Sequence, residues 1–202
     1  MEYNNDLVAG KLRRWERYLE NYHLPKWEEI PNLGLYMEQV IALLKQYLDY
    51  LPPELKEEQF ITSATINNYV RMKVMPGPEK KRYYRIHIAY LLIICSLKQG
   101  LSLALIQKII PIDIEEAEVR RIYENYIDTH QQSALYFISH VRLFAGKILN
   151  HSDAPDFAVD STDQLIVESA VIGNLCRLLA EKLMLLEGKN LEDGGSIEIE
   201  RR

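Results

Sequence analysis

The sequence predicts an all-α protein, because its apolar residues recur three and four positions apart along most of the chain and alternate nowhere. Prolines and glycines fall between the periodic segments, at places where helices end. Of the 202 residues, 48% are apolar, which is enough to build a packed core. We therefore expect a helical globular fold.

The apolar runs also bear on where the protein resides. The longest, Ile88–Cys95, is far shorter than the roughly 20 residues that span a membrane, and the first residues are polar and charged. We expect a soluble, cytoplasmic protein. Cys95 and Cys176 lie far apart within apolar stretches, which favours reduced core thiols over a disulfide or a metal cluster.

Two helices are predicted before residue 52. The first is short, over residues 11–23, and an irregular bridge through Pro25 and Pro31 follows it. The second, Leu35–Leu51, is amphipathic and is stopped by Pro52. The apolar positions that define these helices are Leu12, Trp15, Leu19, Met37, Val40, Ile41, Leu44, Tyr47 and Leu48.

A third, short helix is predicted over Ala64–Lys73, where Thr62 and Ser63 offer capping hydroxyls and Ile66, Tyr69 and Val70 form the apolar stripe. The Pro-Gly-Pro sequence at 76–78 cannot continue a helix, so the segment through Tyr84 is predicted to be a loop or a small β-ribbon. A basic excursion is thus expected between two helices.

The next two helices are predicted from the residues that would cap or terminate them. Ile86–Gly100 is strongly apolar and finishes at a glycine, the usual C-terminal capping residue. Ser102 can cap a further helix, Leu103–Ile110, which Pro111 closes.

The C-terminal part is predicted to hold three more helices. Asp113 is expected to cap one that uses Val119 to Ile127, and a separate helix runs from Ala134 to Ile148. After a polar loop at 150–163, a long helix to about Leu186 is apolar on more than one face and is expected to be deeply buried. Its heptad-spaced residues are Leu165, Ile172, Leu179 and Leu186.

These elements divide the chain into four predicted segments. Residues 1–34 form an N-terminal helical extension and residues 35–111 a central domain. Residues 112–187 form a C-terminal helical domain for dimerisation or interaction, and the acidic, glycine-rich tail 188–202 is expected to be disordered.

Charge is distributed unevenly between these segments. The whole chain carries a formal charge of −5, yet residues 62–98 hold seven Lys and Arg against one Glu, a charge of +6, which leaves −11 for the rest. A basic region of this kind in an acidic protein indicates a local anionic partner.

Four motifs follow one another in this basic region: Thr65-Ile66-Asn67-Asn68-Tyr69, Val74-Met75-Pro76, Arg82-Tyr83 and Leu97-Lys98-Gln99-Gly100-Leu101-Ser102-Leu103. In order and spacing they resemble the winged helix-turn-helix of the MerR family. The resemblance implies that the first motif lies on a recognition helix, that the Arg-Tyr pair lies in the wing, and that the Gly-Leu-Ser turn starts the fourth helix. Residues 15–110, with Leu35-Tyr36-Met37, look closer still to the bacterial family catalogued as domain of unknown function 1836, which has no established activity.

The resemblance and the residue types together predict a set of DNA contacts. Asparagine amides can bind adenine bidentately and arginine can bind guanine or phosphate. Four wing cations on phosphates would give a salt slope of roughly −3 to −4. The two wing tyrosines either pack the wing against the body or donate hydroxyls to phosphate, and Tyr69 is expected to point inward. The predicted contacts are Thr65, Asn67, Asn68, Arg71, Lys73, Lys80, Lys81, Arg82, Tyr83, Tyr84 and Arg85.

Two functions remain open at this point. The first is a DNA-binding transcriptional regulator, in which residues 64–73 read the major groove of double-stranded DNA and residues 75–85 grip the phosphate backbone. Such a regulator is expected to dimerise through its C-terminal helices, and any small-molecule effector is unknown. The second is a protein–protein adaptor that keeps the helix-turn-helix fold without DNA binding.

We do not expect an enzyme, a cofactor or a metal site. The histidines are not at metal-ligand spacing, and no phosphate-binding glycine loop or nucleophile elbow occurs. The acidic residues of Glu115–Glu118 suit the first turn of a helix, where carboxylates favour the helix dipole.

Overall fold

The computed structural model describes residues 4–49, 61–98, 101–144, 167, 170–179, 186 and 188–190. The chain divides into two compact units. The central unit is His23–His130, and the terminal unit combines Met1–Tyr22 with Gln131–Arg202. The divisions fall at residues 22/23 and 130/131, whereas the sequence predicted boundaries after residues 34 and 111.

The described elements are helical, which confirms the predicted all-α class. The helices are α1 (Asn5–Asn21), a 3-10 turn (Trp27–Glu29), α2 (Met37–Tyr47), α3 (Ser63–Arg71), α4 (Arg85–Leu97), α5 (Leu103–Ile109) and α6 (Glu116–Phe144). Residues 170–179 are helical as well. Within the described ranges, extended pairing is limited to two isolated antiparallel bridges, Leu35 with Tyr83 and Glu79 with Arg82.

Helix α4 forms the core of the central unit. Each of its residues from His87 to Leu97 is buried, which agrees with the nearly continuous apolar sequence of this helix. It contacts both α2 and α5, and α2 also contacts α3. Val40 and Leu44 of α2 and Ile66 and Tyr69 of α3 are buried at 4% exposure or less, so Tyr69 points inward as predicted.

The described part of the terminal unit includes α1, the last part of α6 and the helical residues 170–179. Trp15 packs edge-on against Phe137 with ring centroids 5.3 Å apart. Arg142 pairs with Glu16 and, at 2.9 Å, with Glu20. Val171, Leu175 and Leu178 are buried, whereas Ile172 and Leu179 are only half-buried. Of the four heptad-spaced residues, Leu186 is also buried, and Leu165 lies outside the described residues.

The structure corrects four further predictions. Helix α1 begins at Asn5, where the Asn4 Oδ1 atom accepts a hydrogen bond from the Leu7 backbone N–H at 3.0 Å. Helix α6 is one continuous helix of 29 residues in place of two helices, and its first residue, Glu116, lies three positions beyond Asp113. Asp113 is therefore not its cap, and its φ of 63° is left-handed. Of the two cysteines, Cys95 is buried but Cys176 is exposed.

Among the described helices, none combines the length and the apolar character needed to cross a membrane. The predicted loop at 150–163 and the predicted helix cap at Gly100 lie outside the described residues.

Candidate nucleic-acid interface

Helix α3 presents a polar face with little side-chain bulk. Thr62 caps the helix, since its Oγ1 atom accepts from the Thr65 N–H at 3.1 Å and also contacts Thr65 Oγ1 at 2.9 Å. Because one side of the helix is buried through Ile66 and Tyr69, the other side faces solvent. The exposed residues on that side are Ser63, Ala64, Asn67 and Arg71. Helix α3 contains no acidic residue.

The C-terminus of α3 is closed by a Schellman motif with a lysine at its left-handed position. The Val74 N–H donates to the Tyr69 carbonyl at 2.9 Å, and the Lys73 N–H donates to the Val70 carbonyl at 3.0 Å. Lys73 has φ of 53°, a conformation that this motif usually assigns to glycine. The Gln107 side chain of α5 donates to the Lys73 carbonyl at 2.7 Å, and the lysine side chain is exposed.

A tight hairpin turn follows at Glu79–Arg82. The two end residues exchange backbone hydrogen bonds of 3.0 and 2.8 Å, and the central residues Lys80 and Lys81 have φ of 48° and 63°. Positive φ at both central residues defines a type I′ turn, for which Asn-Gly is the favoured pair. Here two exposed lysines form the tip.

The segment between α3 and this turn packs back on the helix. A Cβ placed on Gly77 would lie 3.5 Å from Val70 Cγ1 of α3. The His87 ring is buried and holds the same segment, because its Nε2 atom lies 2.9 Å from the Gly77 carbonyl. Its Nδ1 atom accepts from the Tyr84 N–H at 3.0 Å, so Nε2 is the nitrogen that carries the proton and donates to Gly77.

A second anchor joins the turn to the residues before α2. Leu35 and Tyr83 exchange backbone hydrogen bonds of 2.8 and 2.9 Å. Arg82 donates to the Gly34 carbonyl at 3.0 Å and to the Tyr36 hydroxyl at 2.6 Å, and its guanidinium lies 3.6 Å from the Tyr36 ring centroid. The turn is thereby held on the body of the central unit.

Arg85 is engaged in the same way. Its Nε atom donates to the Ile30 carbonyl at 2.8 Å, its Nη2 atom lies 3.4 Å from the Glu28 carbonyl, and its guanidinium is 5.8 Å from the Trp27 ring. The Arg85 side chain therefore fixes the chain after the 3-10 turn.

The predicted contact residues thus separate into two groups. The first group lies at the surface of α3 and of the two left-handed turns. Five of its members are exposed, and Asn68 beside them is half-buried. The exposed members are Asn67, Arg71, Lys73, Lys80 and Lys81. The remaining five have structural contacts: Thr65 in the helix cap, Tyr83 in the core at 3% exposure, Tyr84 at the start of α4, and Arg82 and Arg85 on backbone carbonyls. We therefore leave Tyr83 out of the interface and treat Arg82 and Arg85 as residues that position it.

Sequence reasoning missed Gly34, Tyr36 and His87 as parts of this region. The Leu35-Tyr36-Met37 motif is part of the family resemblance. It was the sequence signal that could have shown that this segment pairs with the turn. His87 lies within an apolar run, where a core position was the simpler interpretation. Among the described residues, no group of three or more His, Cys, Asp or Glu side chains could hold a metal ion.

Residues 25–127 match the family model described as "Domain of unknown function (DUF1836)". The matched range is about half of the chain and nearly coincides with the central unit His23–His130. Neither the search of the curated proteins nor the search of the solved structures found a match. The chain accordingly belongs to the DUF1836 family.

Proposed function

We propose that this protein is a DNA-binding transcriptional regulator whose central unit acts as a winged helix-turn-helix. In this proposal α3 enters the major groove of double-stranded DNA, and the Lys80-Lys81 turn and Lys73 bind the phosphate backbone. The order of motifs that resembles the MerR family supports the assignment of α3 and the turn to these roles.

The observation that carries the proposal is the choice of lysine at three left-handed positions. Lys73, Lys80 and Lys81 have φ between 48° and 63°, and each is exposed. A side chain with a Cβ costs about 1–2 kcal/mol in this conformation, which glycine avoids. Strain of this kind is typical of functional sites, and here the residue that introduces it adds a positive charge each time.

The composition of α3 supports its proposed role as the reading helix. Ala64 on its exposed side allows close approach to the edges of bases, and Asn67 and Arg71 offer the side chains that bind adenine and guanine. Acidic residues, which phosphate would repel, are missing from this helix. Glu79 is the sole acidic residue in the sequence of 62–98.

A protein–protein adaptor is the second candidate, and one observation favours it. Four large apolar side chains of the central unit are strongly exposed: Leu33 (59%), Tyr36 (50%), Met72 (50%) and Leu105 (47%). Met72 directly follows α3, so a protein partner could use this end of the helix. An adaptor of this kind would not need Lys80 and Lys81.

We also propose a homodimer, because small helix-turn-helix units gain affinity by binding paired half-sites. Light scattering at tens of micromolar protein is expected to give twice the mass of one chain. A monodisperse monomer would contradict the proposed homodimer. The remaining proposal would then be DNA binding by a single chain.

The regulator and the adaptor are separated by binding to sheared genomic DNA of the source organism at several salt concentrations, followed by sequencing of the retained fragments. The test variant is Lys80→Gln/Lys81→Gln, which removes the two turn charges but leaves Arg82 on the Gly34 carbonyl. The matched control is Arg17→Gln/Lys45→Gln, which removes two exposed charges from α1 and α2.

A regulator should enrich discrete sites with the wild-type protein and with the control, and lose them with the test variant. If folded wild-type protein retains no DNA at any salt concentration, the adaptor is the better account. Equal retention by the wild-type protein and the test variant would exclude the turn from the interface.

A further inference from the structure

One side chain on α3, that of Asn68, is hydrogen-bonded to two neighbours that follow it in the chain. The Asn68 Oδ1 atom accepts a hydrogen bond of 2.6 Å from Arg71 Nη2. The other end of the same amide, Nδ2, lies 3.3 Å from the Met72 sulfur. Both polar ends of Asn68 therefore have partners within the last turns of the helix.

Bidentate recognition of adenine needs the amide oxygen and the amide nitrogen of one side chain at the same time. Asn68 already uses one of its two oxygen lone pairs on Arg71 and one of its two N–H groups on Met72, and its side chain is half-buried, so it has fewer free positions to offer a base. Asn67, in contrast, is exposed on the outer side of α3, four residues before Arg71 and so on the same face. The two neighbouring asparagines thus differ in what they can offer to a base.

The hydrogen bond between Asn68 and Arg71 also affects the Arg71 side chain. An exposed arginine side chain loses rotamer entropy when it is fixed, and a partner that orients the guanidinium in advance reduces the part of this cost that binding must supply. One of the five N–H groups of Arg71 is used by Asn68, which leaves enough donors for the fork that binds O6 and N7 of guanine.

We propose that Arg71 reads a guanine in the DNA site and that Asn68 is the positioning residue that orients Arg71, without itself contacting a base. This inference rests on the proposed DNA-binding function and names one base pair of its target. Asn67 is then the asparagine whose side-chain amide contacts a base.

A double-mutant cycle tests the inference. The proteins are wild type, Asn68→Ala, Arg71→Ala and the double variant, with Gln46→Ala on the exposed side of α2 as a control. The ligands are a duplex obtained by selection with the wild-type protein and a set in which each G·C pair is changed singly to A·T. The readout is the ratio of the two dissociation constants at each position, and thermal unfolding of every variant confirms the fold.

We expect Arg71→Ala to abolish a preference of roughly 5- to 150-fold at one G·C pair, the range for one bidentate contact. Asn68→Ala should weaken the preference at that same pair, and it should change nothing further when Arg71 is already alanine. Gln46→Ala should leave every ratio as it is in the wild type.

Three results would overturn the role of Asn68 while leaving DNA binding intact: an effect at a different base pair, a further loss in the Arg71→Ala background, or no effect at all. A wild-type protein that selects no sequence would overturn the inference together with the proposed function.

Discussion

At the scale of single residues, the left-handed backbone of three lysines is the feature on which the proposed function depends most. Lys73 closes α3, and Lys80 and Lys81 form the hairpin tip, all with positive φ. Glycine usually adopts these conformations because it has no Cβ to approach the following carbonyl oxygen, and asparagine does so because its short side chain can hydrogen-bond to the local backbone. A lysine there lowers stability and adds an exposed charge.

This trade-off gives a prediction that separates stability from function. Lys80→Asn/Lys81→Gly installs the pair that a type I′ turn favours, so the free energy of unfolding should rise by about 1–2 kcal/mol. The same change removes two charges and should weaken DNA binding. Urea denaturation of the wild type and the variant measures the first effect.

A variant that is less stable than the wild type would contradict the assignment of strain to this turn. Lys80→Gln/Lys81→Gln is the control, because it removes the charges and keeps side chains with a Cβ at both left-handed positions. Its stability should stay close to that of the wild type.

The residue scale is also where sequence reasoning reached least far. The types of the exposed residues were predictable, because Asn67, Arg71 and the turn lysines are polar residues in a basic segment. The opposite placement of the Arg82 and Lys81 side chains was not predictable. Both are adjacent cations in sequence, and only the pairing of the chain with Gly34 and Tyr36 directs one inward and the other outward.

At the scale of elements, the helices of the central unit were predictable because each has a clear apolar stripe and a defined end. Helix α3 was expected over residues 64–73 and is found at Ser63–Arg71, and α5 was expected over 103–110 and is found at Leu103–Ile109. Thr62 and Ser102 stand at the N-cap positions of these helices, although only the Thr62 side chain makes a capping hydrogen bond, and Pro111 follows α5.

Helix α6 shows why other elements were missed. Its stretch Asp128–Gln132 is polar and looks like a break between two helices, but it contains neither proline nor glycine. The helix continues through it, and His130 and Ser133 are buried there at 3% exposure or less. Polarity alone does not end a helix when no residue in the segment disfavours the helical backbone. The segment through Tyr84 was predicted to be a loop or a small β-ribbon, but the position of its hairpin turn was not predicted, because Lys-Lys is not a turn signal.

The anchoring of the hairpin gives a prediction about packing between elements. A Cβ placed on Gly34 would lie 3.0 Å from Arg82 Cβ and 3.3 Å from Tyr84 Cζ, so Arg82 and Tyr84 would have to shift by a few tenths of an ångström to accommodate a side chain. Gly34→Ala should therefore lower the free energy of unfolding by about 1–3 kcal/mol. The matched control is Gly173→Ala, where no atom lies within 4 Å of the added Cβ.

Because Gly173 lies within the helical residues 170–179, its replacement by alanine should raise stability by up to about 1 kcal/mol. Thermal or chemical denaturation of both variants provides the comparison. Equal effects of the two substitutions would mean that the segment before α2 does not pack on the turn as described.

At the scale of the whole molecule, the family region and the basic region fall within the same unit. The central unit His23–His130 contains the residues that match the DUF1836 family and the segment 62–98 with its charge of +6. The overall charge of −5 hides this concentration of positive charge. In the proposed function, this local positive charge corresponds to binding of DNA at one site and not to coating of DNA along its length.

The stability of the molecule should depend on pH through a buried histidine. Burial lowers the pKa of His130 from 6.5 to about 4. Between these values the unfolded chain binds a proton that the folded protein does not, so the free energy of unfolding falls as the pH is lowered from about 6.5 to about 4. The total loss from this residue is about 3 kcal/mol, and above pH 6.5 the residue has no such effect.

His130→Gln removes this contribution, and carboxylates that titrate in the same range affect both proteins equally. The difference in unfolding free energy between the wild type and the variant should therefore shrink as the pH falls from about 7 to about 4. Urea denaturation across this range measures it. A difference that does not change with pH would show that His130 is not held in its neutral form.

The central claim, that Lys73, Lys80 and Lys81 bind the phosphates of DNA, is tested most directly by the salt dependence of binding. Fluorescence anisotropy with a labelled duplex, from roughly 50 to 200 mM salt, gives the slope of log affinity against log salt concentration. We predict a slope of roughly −3 for the wild type and roughly −1 for Lys80→Asn/Lys81→Gly, because each phosphate contact contributes about −0.9. The same slope for both proteins, or no binding by the wild type at the lowest salt, would contradict the claim.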